Sequence, residues 1–230
     1  MNTTEQIIEE IKKLSSPEAK SAQEYFGITG ANRFGLTTPT MRAIAKKIGK
    51  NHSLALQLWK TGNHEAQHIA IFIAEPQKVT ENFMEKWLKD FNSWDTVDNC
   101  CGTLFCRTPI AYEKAVEWTK RKKEFEKRAG FVMMAELAVH DKKAEDKKFE
   151  NFLPHLILHS TDDRNFVRKA INWALRQMGK RNERLCKKAI KTAKEIYKKE
   201  DFSSRWIAAD ALRELEKYQR EGKIKNVGVK

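Results

Sequence analysis

Two short segments carry the residue types that could do chemistry. The first is Asn92-Ser93-Trp94-Asp95-Thr96-Val97-Asp98, and the second is Arg168-Lys169-Ala170-Ile171-Asn172-Trp173-Ala174-Leu175-Arg176. Both have helical patterning and set an aromatic face beside charge. Trp94 and Asp98 are four residues apart, so a helix stacks them on one face. A carboxylate held beside an indole in a strongly basic chain points to a site for a cationic, or cation-forming, sugar or base. Asp95 has a simpler use, as a negative charge at a helix N-terminus. Trp94 can also be read as a helix-start packing residue, and Trp173, set among Ala170, Ala174 and Leu175, as plain core. Asp98 is harder to explain structurally, because a second acid beside Val97 and near Cys101 has no evident packing role.

The elements that hold these segments are expected to be helices throughout. Apolar residues recur with helical spacing almost everywhere, and no stretch reads as a strand. Ile7, Ile8, Ile11 and Leu14 form one stripe behind the capping candidates Thr3 and Thr4. Ser16-Pro17, Thr38-Pro39 and Thr108-Pro109 each resemble an N-cap followed by proline in the first turn. The segment from Gly27 to Gly35 holds three glycines and reads as a loop. Apolar, alanine-bearing stretches begin at His64, Trp94, Arg128, Arg168 and Arg205, spaced 30, 34, 40 and 37 residues apart. A helix is expected before each. That recurrence predicts an all-α fold: one domain over residues 1–230, an α-solenoid of HEAT-like helix pairs in a right-handed arc, with a concave face that the basic residues described below would make a basic, DNA-binding one. An irregular helical bundle is the simpler alternative, against which the period argues. Counted from Ser93 and Arg168, Asp98 and Trp173 each lie five residues on, which predicts similar registers on inner helices.

The chain has 230 residues and a formal net charge of +13, from 44 basic and 31 acidic side chains. This excess favours a polyanionic partner, nucleic acid first. Lys187, Lys188, Lys191, Lys194 and Lys198 recur at helical steps beside an apolar side of Leu185, Ala189, Ile190, Ala193, Ile196 and Tyr197. A solvated face and a phosphate-contacting face both account for such a stripe. Lys120, Arg121, Lys122 and Lys123 form a second cluster. No apolar run approaches the ~20 residues of a membrane span, and the N-terminus, with Glu5, Glu9 and Glu10, lacks a signal-peptide pattern. Cys100, Cys101, Cys106 and Cys186 form no Cys-x-x-Cys pair and read as reduced thiols of a cytoplasmic protein.

His64-Glu65-Ala66-Gln67-His68 matches the zinc-protease pattern His-Glu-x-x-His. A protease needs a third ligand and a supporting strand. Neither is visible in the sequence, and Glu81 and Glu85 belong to an amphipathic helix with Phe83 and Trp87. His64 and Glu65 are therefore expected to be surface or capping groups, and no metal is expected.

The chain resembles the AlkD-type DNA alkylation-repair family, DNA glycosylases built of HEAT-like repeats. The resemblance runs from about Phe34 to Glu216. It rests on Gly35-Leu36-Thr37-Thr38-Pro39-Thr40-Met41-Arg42, Leu58-Trp59, His64-Glu65-Ala66, Trp94-Asp95-Thr96-Val97-Asp98 and Lys127-Arg128-Ala129. Lys169-Ala170-Ile171-Asn172-Trp173-Ala174-Leu175-Arg176, Gly179-Lys180-Arg181-Asn182 and Arg205-Trp206-Ile207-Ala208 complete it. It implies a glycosylase that excises cationic N3- or N7-alkylated purines from duplex DNA, with Asp98, Trp94 and Trp173 at the reacting sugar. Arg128 would hold a phosphate, joined by the basic residues Lys187, Lys191, Lys194, Lys122 and Lys123. The enzyme would be monofunctional, with no cofactor and no lysine nucleophile. It would be a monomer with no obligate protein partner, cytoplasmic and associated with the nucleoid through DNA. Gln67 stands where many relatives carry arginine, losing a charge on an inner helix. The family also includes DNA binders without detectable excision, some of which have lost the aromatic or acidic residues kept here. A non-catalytic protein recognising damaged or branched DNA is thus the alternative. A protein-interaction scaffold is the third reading, and the net charge counts against it. Trp59, Trp87, Trp118 and Trp206 are assigned to packing.

Overall fold

A computed structural model describes residues 3–224, which are helical with no strand among the described residues. The chain divides into two compact units, Met1–Thr108 and Pro109–Lys230.

The first unit contains α1 (Thr4–Lys13), α2 (Pro17–Tyr25), α3 (Thr38–Ile48), α4 (His52–Lys60), α5 (His64–Ile73), α6 (Glu81–Lys89) and α7 (Trp94–Thr103). Local chemistry fixes most of the starts. The hydroxyl of Thr3 accepts the Gln6 N–H, and that of Ser16 accepts the Ala19 N–H ahead of Pro17. Thr37, one residue earlier than expected, caps α3. Helix α5 packs against α3, α4 and α7 and is buried along nearly its whole length, with only Phe72 half-exposed. Trp59 and Trp87 stack at 3.8 Å with rings 4° from parallel, joining α4 to α6. Both are buried, as their assignment to packing requires.

The second unit contains α8 (Ala111–Trp118), α9 (Glu124–His140), α10 (Asp146–Glu150), α11 (Leu153–His159), α12 (Asn165–Gly179), α13 (Glu183–Tyr197) and α14 (Phe202–Arg220). Thr108-Pro109 does not open a helix. Thr108 follows the 3₁₀ turn Phe105–Arg107, its hydroxyl bonds back to the Phe105 carbonyl, and α8 starts two residues after the proline. Helix α12 packs between α9 and α14, giving one layer of three helices, while α8 packs on α9 and α13 packs on α12 and α14 from behind. Close approach of α8 and α9 requires Gly130, where an added Cβ would lie 2.6 Å from the Thr119 amide nitrogen.

The alternation of helix pairs matches the expected repeat, with α5, α7, α9, α12 and α14 as the second helices. Three of them begin three or four residues before the arginine taken as their marker. Counted from true helix starts, Asp98 is the fifth residue of α7 and Arg128 the fifth of α9, whereas Trp173 is the ninth of α12. The equal register expected for Asp98 and Trp173 is therefore one turn out, because the marker arginines are not helix starts.

Candidate functional site

In the first unit the site is built on the first turn of α7. Ser93 occupies the N-cap position without using its hydroxyl on the backbone. Instead Ser93 Oγ donates to Asp95 Oδ1 at 2.6 Å, and that oxygen also accepts the Thr96 N–H at 2.9 Å. Asp95 thus places a negative charge in the first turn of α7, the structural use expected for it. Trp94 and Asp98 lie one turn apart on the same side of α7, both half-buried. Trp94 Nε1 donates to the Phe26 carbonyl at 2.8 Å, so the indole is held by its edge. Phe26 and Tyr25, an edge-to-face pair at 5.2 Å, are both exposed beside this anchor. Arg42 reaches the same helix: its guanidinium lies over the Phe72 ring at 4.3 Å and Nη2 approaches Asn99 Oδ1 at 3.5 Å. Tyr25, Phe26 and Arg42 carry no local signal in the sequence that marks them for this site. Arg42 belongs to one of the recognised motifs, but only the fold brings it beside α7.

Beneath this surface lies a buried polar layer that was not expected. Glu65 is fully buried and accepts three backbone N–H groups, from Phe34 at 3.0 Å, Gly35 at 2.9 Å and Leu36 at 3.3 Å. Burial alone would raise its pKa, but the donated N–H groups outweigh burial and hold it below the usual carboxylate range. Glu65 is a capping group, as one alternative had it, yet neither it nor His64 is at the surface. His64 Nε2 lies 3.0 Å and His68 Nε2 3.3 Å from the same oxygen, Asp95 Oδ2. Burial pushes Asp95 up, and the two imidazoles overturn that and hold it far below its ordinary value. Burial depresses the pKa of His68, which Asp95 only partly offsets. Gln67 is buried too.

In the second unit, Trp173 is half-buried on the side of α12 that also carries Arg168, Lys169, Arg176 and Lys180. It is neither plain core nor fully open. Arg168 lies over Phe202 and Trp206 at 5.0 and 5.1 Å, so Trp206 serves this cation as well as packing. Arg176 pairs with Asp210 and Glu214, and Lys180 with Glu214. Lys169 is exposed. Arg128 is only 5% exposed, and its Nη1 donates to the Phe166 carbonyl at 2.6 Å, tying α9 to the first turn of α12. Lys122 and Lys123 are exposed just ahead of α9, where Arg164 Nη1 holds the Lys122 carbonyl at 2.7 Å.

The lysine stripe of α13 falls elsewhere. Leu185, Cys186, Ala189, Ala193 and Ile196 are buried, so Lys187, Lys191 and Lys194 face away from the layer of α9, α12 and α14. They are not brought together with Trp173 or Arg128. Arg184 and Lys188 are matched by Glu150 at 3.0 and 2.7 Å. Tyr197, expected on the apolar side, is 49% exposed because it falls at the last residue of the helix.

A family model described as DNA alkylation repair enzyme matches residues 7–215. The chain belongs to that family. The uncharacterized protein Lin0241 of Listeria innocua serovar 6a is 23% identical over 202 residues, covering 86% of this chain and 88% of the relative. A solved structure superposes with a TM-score of 0.81 at 22% identity, covering 99% of both chains. It is described as a new family related to the HEAT-like repeat DNA glycosylases with affinity for branched DNA structures. That likeness shows the fold of the family member described here to be of the HEAT-like repeat kind. No described helix is long and apolar enough to cross a membrane.

Proposed function

We propose that this family member is a DNA glycosylase that hydrolyses the N-glycosidic bond of cationic N3- or N7-alkylpurines in duplex DNA. The observation that carries the reading is the pairing of Trp94 and Asp98 on one side of α7, both half-buried, with the indole fixed by its edge. Alkylation at these ring nitrogens makes the base a cation and a good leaving group, so no general acid is needed. The bonding electrons leave with the purine, and the sugar becomes oxocarbenium-like. Asp98 stabilises that charge and orients the water that adds to the anomeric carbon, the proton passing to the carboxylate or to solvent. A carboxylate ~4 Å from a unit charge contributes about 4 kcal/mol at an effective dielectric near 20. Realised mainly in the transition state, this is about a thousandfold in rate. Indole faces, on Trp94 and on Trp173, favour a cationic partner. Exposed Lys169, Lys122 and Lys123, with Arg168, supply phosphate contacts in this reading. Arg128 acts by holding α12 in place. The reaction uses no cofactor, and the protein acts as a monomer.

The test is single-turnover release of N7-methylguanine from duplex DNA. Asp98→Asn is expected to lower the rate by orders of magnitude with DNA binding retained, since the amide keeps the shape and loses the charge. Trp173→Ala and Trp94→Ala are expected to cost less. Equal rates for wild type and Asp98→Asn would remove Asp98 from the mechanism.

The fold likeness to a protein with affinity for branched DNA favours a second reading, a non-catalytic binder of branched or damaged DNA. Wild type that releases no base yet binds a four-way junction more tightly than a duplex would decide for it.

A further inference from the structure

We propose that His64, His68 and Asp95 form a binding site for a divalent d-block cation of the zinc class. The three side chains present ligand atoms that all lie within 4.8 Å of one another. A tetrahedral zinc site with bonds of about 2.0–2.1 Å has edges of about 3.3 Å. The His64–Asp95 and His68–Asp95 separations of 3.0 and 3.3 Å are already near that length.

The second observation is an unmet demand. His64 Nε2 is buried 3.0 Å from Asp95 Oδ2 and makes no well-formed hydrogen bond. A shared cation would take this nitrogen and the carboxylate oxygen beside it as ligands. His68 Nε2 has Thr96 Oγ1 at 3.3 Å, and its Nδ1 has no partner. Asp95 is already oriented from outside the cluster, its second oxygen held by the Ser93 hydroxyl and the Thr96 N–H. Hydrogen bonds of this kind to a ligating carboxylate position it for metal.

The donor set decides the class of ion. Two imidazoles and one carboxylate suit zinc, cobalt or nickel and are poor ligands for magnesium or calcium, which take oxygen. The sequence motif lacked a third ligand and Asp95 provides it, from a helix thirty residues away. Glu65, the base of the protease pattern, is committed to the backbone of residues 34–36, and the cluster is closed to a substrate. The ion is therefore structural: it clamps the first turns of α5 and α7, and α7 carries Trp94 and Asp98. This inference stands independently of the glycosylase reading.

The test uses the full chain without a polyhistidine tag, stripped by chelator and titrated with Co²⁺. Visible d–d absorption should saturate at one equivalent per chain, be displaced by Zn²⁺ and be unaffected by Mg²⁺. Zn²⁺ should raise the melting temperature, reversibly with EDTA. His64→Gln and Asp95→Asn should each abolish the bands. Circular dichroism checks that the variants fold. If Asp95→Asn does not, His64→Gln decides. Absence of both the bands and the Zn²⁺ shift in wild type would overturn the proposal, as would bands that persist in a folded His64→Gln variant.

Discussion

Glu65 Oε1 accepts the amide N–H of Gly35 at 2.9 Å, joining the first turn of the unit's central helix to a loop thirty residues earlier in the chain. Gly35 has φ of +82°, and a Cβ there would lie 2.4 Å from the Ser16 carbonyl, so the loop passes too close to α2 for any side chain. One buried carboxylate therefore satisfies three backbone donors. Glu65→Gln exchanges an acceptor-only group for one whose amide N–H₂ faces donors. Hydrogen bonds to a charged group are worth about 1.5–3 kcal/mol, and a loss of stability of about 2–3 kcal/mol is expected in urea unfolding. A loss under 0.5 kcal/mol would show that the loop does not depend on the charge.

A second carboxylate sets an acid limit for the other unit. Asp162 accepts from Arg164 Nε at 2.9 Å and Nη2 at 2.6 Å and pairs with Lys127 at 2.8 Å. Burial pushes its pKa up, but the Arg164 and Lys127 partners outweigh burial and lower it to about 2. The native value lies below the ordinary 3.8, so the native state favours the charged form. The stabilisation is full above pH ~4 and is lost as pH falls through about 2. Wild type should exceed Asp162→Asn in stability at neutral pH, and the gap should close between pH 4 and 2. A gap that stays constant with pH would assign it to shape, not charge.

The helical repeat was legible because its signals are local: apolar spacing, caps such as Thr3 and Ser16, and a recurrence near 35 residues. The pairing of Trp94 with Asp98 was legible for the same reason, being one helical turn. What escaped was set by long-range contact. Nothing near Glu65 in sequence announces three donors from residues 34–36, and nothing near His64 announces Asp95. The lysines of α13 were legible as a stripe, but the layer they face depends on which helix of the pair carries them. Thr108-Pro109 misled because the chain there follows a 3₁₀ turn instead of opening a helix.

Trp94 tests whether edge and face do separate work. Its Nε1–H bond to the Phe26 carbonyl holds the ring, while the face is the part proposed to meet the ligand. Trp94→Phe keeps an aromatic face and removes the bond, worth about 0.5–1.5 kcal/mol. Stability should fall by about that amount while affinity for DNA falls less than twofold; Trp94→Ala should lower both further. If Trp94→Phe lost affinity as severely as Trp94→Ala, the edge contact and not the face would be the important part.

The two basic surfaces of the second unit make opposite predictions for salt dependence. Lys169 is exposed on the side of α12 that carries Trp173, whereas Lys191 is exposed on α13, facing away from α12. Each phosphate neutralised by a lysine releases counterion, and the slope of log K against log salt changes by about 0.9 per contact on duplex DNA. If DNA lies along the side that carries Trp173, Lys169→Ala should flatten the slope by about one such contact and weaken binding at low salt. Lys191→Ala should leave the slope unchanged. Both residues are solvated, so neither substitution disturbs packing, and unequal effects can be read as contact. A flattened slope for Lys191→Ala with none for Lys169→Ala would put the duplex on the outer layer. The role proposed for Trp173 at the sugar would then fail with it, because that tryptophan lies on the other side of the helix layer.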